Sequence, residues 1–154
     1  MSQNEFITKN VDEIADNSKL EFPLNIAMAS AWILGNFKGV NLKVLDMRKT
    51  TALADFFVLA SATNSSMANA MSDEIAKQMK RKGQTVISKE GLHQQTDWIL
   101  IDLGDIIVHI FDESAREAYD IDNLWSVPSI EIPNEYYYSS EEAGASTDSD
   151  KGYF

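Results

Sequence analysis

Few side chains in this sequence are equipped for chemistry. It has no cysteine and two histidines, so disulfides, thiolate metal centres and cysteine nucleophiles are excluded. A metal site would need His93 and His109 to converge with Glu90, Asp102 or Asp105, and no ligand spacing on one stretch demands it. His109, mid-run among apolar residues, reads as a structural histidine, and His93, in a polar loop, as a solvated one. Asp102 and Asp105 could form an acid/base pair, but at the ends of a tight turn they more simply accept from turn amides. The seven glycines are scattered, so neither a G-x-x-x-x-G-K-[ST] nor a G-x-G-x-x-G phosphate loop exists, and no G-x-S-x-G nucleophile elbow is present. The residues give catalysis and metal binding no positive support.

Charge points to binding instead. Thirteen Lys and Arg stand against 24 Asp and Glu, a net charge of −11, which repels a phosphate backbone or an acidic membrane and favours a basic protein partner. With 154 residues at 44% hydrophobic composition, the chain can bury one core. Residues 1–22 carry no basic and apolar run of the secretory kind, and the uncharged stretch from Phe22 to Phe37 is shorter than a membrane span. Together with the absence of cysteine, this points to a cytoplasmic protein with no membrane contact.

The elements that must position these residues centre on Trp98 to Phe111, W-I-L-I-D-L-G-D-I-I-V-H-I-F, read as an antiparallel hairpin turning at Gly104. If Asp102 faces Asp105, Leu100 faces Ile107 and Trp98 faces His109. One face is then Ile99, Ile101, Ile106, Val108 and Ile110, and the other is Trp98, Leu100, Asp102, Ile107, His109 and Phe111. The first face calls for helices, whereas the second, with an indole, an imidazole and a carboxylate, suits a partner.

The rest of the chain reads in order. Residues 1–21 form an acidic flexible arm. A buried helix starts at Pro23-Leu24-Asn25 and stops at Lys38-Gly39, with glycine just past its cap. Val40 to Met47 and Ala54 to Ala60 are strands, the latter apolar on both faces and so central. Thr63 to Ser66 caps a helix running to Lys82, with Met67, Met71, Ile75 and Met79 on one face. Gln84 to Glu90 is a short strand. Past the hairpin, Asp112 or Ser114 caps a last helix carrying Arg116, Tyr119, Ile121, Leu124 and Trp125, stopped by Pro128. Residues 22–133 thus make a single-domain α/β sandwich with a mixed sheet of about five strands flanked by helices, and 134–154 an acidic low-complexity tail in which Tyr136-Tyr137-Tyr138 could dock.

Ala54 to Ala60, Glu90-Gly91, D-x-G-D at Asp102 to Asp105, V-H-x-F at Val108 to Phe111, and R-x-x-Y-D-x-x-x-L-W from Arg116 to Trp125 together resemble the ribosomal silencing factor family, also called RsfS or Iojap. The resemblance implies a nucleotidyltransferase-like fold without that fold's catalytic residues. The chain agrees, having Ser61-Ala62-Thr63 where such enzymes place Gly-Ser and a D-x-D pair. It further implies a factor that binds the large ribosomal subunit through ribosomal protein fourteen, blocks joining of the small subunit and represses translation under nutrient limitation, with no cofactor. A homodimer is a further expectation of the resemblance, which would cover the second hairpin face.

Carried over by position, the partner-binding residues are Trp98, Leu100, Asp102 and His109 on the hairpin, then Tyr119, Leu124 and Trp125 after it. The alternative is that Trp98 and Trp125 only close the core. Ala62, Asn64, Ser66 and Met67 depart from the Gly, Ser and Arg that the family places before and in the second helix. Two other readings stand beside the leading one: a factor for large-subunit assembly and, on fold grounds alone, a nucleotidyltransferase-like enzyme.

Overall fold

A computed structural model describes residues 1–91 and 97–138. The expectations for His93 and for the tail from residue 139 onward lie outside the described residues. The apolar runs assemble into a six-stranded sheet. Its strands are β1 (Val40–Asp46), β2 (Phe56–Ala62), β3 (Ser88–Glu90), β4 (Trp98–Asp102), β5 (Ile106–Asp112) and β6 (Ser129–Ile130), in the order β3-β4-β5-β2-β1-β6. The two central strands, β2 and β5, pair in parallel, Phe56 beside Ile106 through Ala62 beside Asp112, and every other pairing is antiparallel. All seven residues of β2 are buried, as its lack of polar alternation requires. The sixth strand is only two residues long, too short for any pattern to announce it.

The hairpin β4–β5 keeps the two expected faces but not the expected pairs. Leu100 faces His109, Trp98 faces Phe111 and Asp102 faces Ile107. The reason is the turn: Gly104, with φ of +91°, occupies its first central position rather than its second. Leu103 N–H then donates to the Ile106 carbonyl at 3.0 Å, and the Asp102 carboxylate accepts from Gly104 N–H at 2.8 Å. Each partner moves by two residues, and an even shift leaves every side chain on its original face.

Two helices, α2 (Leu24–Asn36) and α3 (Ser65–Arg81), cover the first face, and α1 (Gln3–Ala15) packs on α2. Ten consecutive residues of α2, Ile26 to Gly35, are buried, because the sheet lies under it and α1 over it. Its end departs from expectation in one detail. Lys38, not glycine, takes the left-handed position with φ of +66°, and the Lys38 and Gly39 amides donate back to the Gly35 and Leu34 carbonyls, the Schellman arrangement. Gly39 is needed one residue later, where a Cβ would lie 2.6 Å from the Leu34 carbonyl oxygen.

Two segments expected to be loose are ordered and packed. Residues 3–15, within the expected arm, form α1. Ser2 and Glu5 cap it reciprocally, and Ile7, Val11 and Ala15 are buried against α2 and α3. Asp12 accepts from Arg81 at 2.8 Å and from Lys82 at 3.1 Å, and the Asn25 amide donates to the Ala15 carbonyl. At the other end, 134–138 belongs to the domain rather than to a tail. Tyr136 is buried, the Tyr137 hydroxyl accepts from Leu42 N–H, and Tyr138 N–H donates to the Gly35 carbonyl. Gly35 admits this crossing, since a Cβ there would collide with the Tyr136 carbonyl.

Candidate functional site

Among the described residues, no long helix covers the second face of the sheet. Leu45, Phe57, Leu59, Ile107 and Phe111 form its buried floor, with Trp98, Leu100, Trp125 and Val127 half-buried around it. The cover is the short helix α4 (Glu113–Ala118), one 3-10 turn at Ile121–Asn123 and the extended chain leading to β6. The last helix is therefore much shorter than the sequence implied. It ends because Asp120 adopts the left-handed conformation, φ +54°, which aspartate tolerates better than most residues.

His109 sits at the centre of this face, 3% exposed. Its ring centroid lies 4.7 Å from that of Phe57, 5.6 Å from Trp125, 5.7 Å from Trp98 and 6.1 Å from Phe111. Trp98 reaches it diagonally across the hairpin, and its indole N–H donates to His109 Nδ1 at 3.0 Å. A neutral imidazole whose Nδ1 accepts carries its proton on Nε2. That Nε2 is buried without a hydrogen-bond partner, a cost of about 1–3 kcal/mol for an orphaned donor. Burial also lowers the His109 pKa to about 4, so the ring is neutral at physiological pH.

The structure thus gathers four of the seven sequence-derived residues, Trp98, Leu100, His109 and Trp125, into one cluster. Trp125 stands edge-on to Phe57 with centroids 5.2 Å apart at 83°, so both tryptophans help to close the core and still present surface. Asp102 shares the face but is engaged by the turn at Gly104. Tyr119 and Leu124 are 58% and 54% exposed. The Tyr119 hydroxyl donates to Asp97 at 3.1 Å, and that carboxylate raises the pKa of the phenol.

Two residues of the site escaped the sequence reading. Phe57 reads as a generic strand residue, and only the sheet order shows it beside His109, whereas Phe111 already shares the expected second hairpin face with that ring. Arg116 is 2% exposed and ties the site together. It donates to the Asn41 carbonyl at 2.6 Å, to the Ser61 hydroxyl at 3.1 Å and to Asp122 at 2.8 Å. Asp122, held below the usual carboxylate pKa by the Arg116 guanidinium, also takes Lys43 at 3.1 Å. The signal was the arginine of the R-x-x-Y-D run, six residues before an aspartate, which the expected continuous helix would have carried apart.

Among the described residues no three His, Asp or Glu side chains converge as a metal site, and no helix is long and apolar enough to cross a membrane. What the arrangement offers is a partly exposed aromatic platform with Asp102 on the same face and Asp122, paired with Lys43 and Arg116, beside Trp125.

A ribosomal silencing factor RsfS of Haemophilus influenzae is 33% identical over 93 residues, 60% of this chain and 90% of the relative. The mouse protein named mitochondrial assembly of ribosomal large subunit protein 1 is 22% identical over 120 residues, 76% of this chain and 51% of that protein. A crystal structure of a Chromobacterium violaceum protein superposes with a TM-score of 0.61 at 27% identity, covering 72% of this chain and 95% of its own. The family described as "Ribosomal silencing factor during starvation" matches residues 23–152. With most of its length so matched, the chain belongs to the ribosomal silencing factor family.

Proposed function

We propose that this protein binds the large ribosomal subunit through ribosomal protein fourteen and sterically blocks association with the small subunit. The observation that carries the reading is the sheet face without a long helix, where Trp98, Leu100 and Trp125 are only half-buried around His109. Aromatic side chains that are rigid and incompletely covered are the usual energetic centre of a protein interface. A net charge of −11 matches a basic ribosomal protein and discourages indiscriminate contact with ribosomal RNA. A steric block requires no catalytic group and no cofactor.

Co-sedimentation of the purified protein with large subunits, followed by addition of small subunits, tests the reading. Stoichiometric binding with reduced joining is expected. Binding with normal joining favours the second reading, a large-subunit assembly factor, for which the name of the mouse relative speaks. In that case cells lacking the protein accumulate immature large subunits. No binding sinks both.

A further inference from the structure

We infer that Asp120–Val127 is a displaceable strap over His109, and that the basic protein which lifts it supplies a main-chain carbonyl to the His109 Nε2–H. The inference rests on the partner-binding reading above and names what that partner must present.

Three observations carry it. The first is the orphaned donor. Nδ1 is already occupied by the Trp98 indole, while Nε2, on the ring edge away from the strand backbone, has no acceptor and no solvent. Buried polar groups are nearly always partnered, and an exception calls for a reason. The strap brings Trp125 against the ring, centroids 5.6 Å apart at 45°, and supplies no acceptor to Nε2.

The second is how lightly the strap is held. Only Ile121 is buried in it, Trp125 and Val127 are half-buried, and Asp120, Asp122, Asn123, Leu124 and Ser126 are exposed. Its own backbone bonds are two, from Asn123 to Asp120 and from Leu124 to Ile121. A crevice of about 200 Å³ runs along it, lined by Trp125, Val127, Asp122, Lys43, Leu45 and Leu59. The principal tether is Asp122, bound by Arg116 and Lys43.

The third is charge. The chain carries a net charge of −11 and the strap itself is acidic at Asp120 and Asp122, the latter paired with Arg116 and Lys43, so a partner carboxylate is disfavoured, whereas a carbonyl framed by lysines or arginines is not. Burial keeps the imidazole neutral, so the group to be matched is a neutral N–H donor.

Two substitutions with opposite expected signs test this by co-sedimentation with large ribosomal subunits. His109→Asn keeps an amide oxygen where Nδ1 accepts from Trp98 but presents no donor at the Nε2 position. It is expected to weaken binding about tenfold. Asp122→Asn loosens the tether and shifts the population toward the lifted strap, so it is expected to tighten binding several-fold. If the strap is instead a fixed part of the interface, Asp122→Asn binds no better than the parent chain and displacement is overturned. Unchanged binding of His109→Asn overturns the carbonyl contact. A cooperative urea transition shows that each variant is folded.

A third measurement needs neither variant. Because the chain has no cysteine, Val127→Cys introduces a single thiol on the inner side of the strap. Its maleimide labelling rises several-fold on binding if the strap lifts, and equal or slower labelling in the complex overturns the inference. Failure of the unmodified protein to bind large subunits overturns the partner-binding reading itself and this inference with it. Binding by the unmodified protein with the wrong signs in the variants sinks this inference alone.

Discussion

Trp98 illustrates how one side chain divides its area between core and surface. It packs on Phe111 with ring centroids 4.9 Å apart and donates to His109, yet stays half-exposed. Trp98→Ala should therefore leave the chain folded but less stable by about 1–3 kcal/mol, and weaken large-subunit binding roughly 30-fold, the scale of a hot-spot residue. Matched urea curves and co-sedimentation check both parts. His109 sets a pH dependence of stability. Its folded pKa of about 4 lies below the ordinary histidine value of 6.5, so in the interval between them the unfolded chain binds the extra proton. Stability is at its full value above pH 6.5 and falls as pH drops toward 4, by up to about 3 kcal/mol. Asp12, Asp46 and Asp122 have lowered pKa values, so their contributions are lost only at pH below about 4. Urea midpoints between pH 7 and 4 should fall for the parent chain and stay flatter for His109→Asn.

Among the elements, what could be read depended on whether the signal was local. The β2 strand announced itself by an uninterrupted apolar run, α3 by its methionine stripe and an Asn64 cap that accepts from Met67 N–H at 2.7 Å. The two hairpin faces followed from parity alone. Pair identity in the hairpin did not, because it hangs on which turn position Gly104 takes. The α1 helix carried its signals openly, a Ser2-x-x-Glu5 capping box and Ile7, Val11 and Ala15 four residues apart, but its acidic surface outweighed them in a reading by composition. The placing of Phe57 beside His109 and of Arg116 against Asp122 was illegible, since strand order and the reversal at Asp120 are tertiary facts. Deleting residues 1–21 exposes the apolar groups that Ile7 and Val11 cover. Each is worth about 1.5–3 kcal/mol when buried, so the melting temperature should fall by roughly 10 °C. Gly35→Ala sets a methyl group against the Tyr136 carbonyl and should cost about 1–3 kcal/mol, with 134–138 released first. Limited proteolysis near Tyr138, faster in the variant, reports that release.

For the whole molecule, the charge balance governs how it meets a partner. At −11 the attraction to a basic surface is long-ranged and screened by salt. Raising ionic strength from 50 to 300 mM should slow association with large subunits severalfold while changing dissociation little. Stopped-flow or surface-based kinetics at two salt concentrations separates the two rates. The parallel pairing of β2 with β5 has a consequence of another kind. Each rung joins residues 50 positions apart, Phe56 with Ile106 to Ala62 with Asp112, and no local turn can bring them together. During synthesis α1, α2 and β1 can assemble as they emerge, but β2 has only β1 for a neighbour until Asp112 has left the exit tunnel. For that interval its other hydrogen-bonding edge is open, so folding of this chain is timed by translation itself.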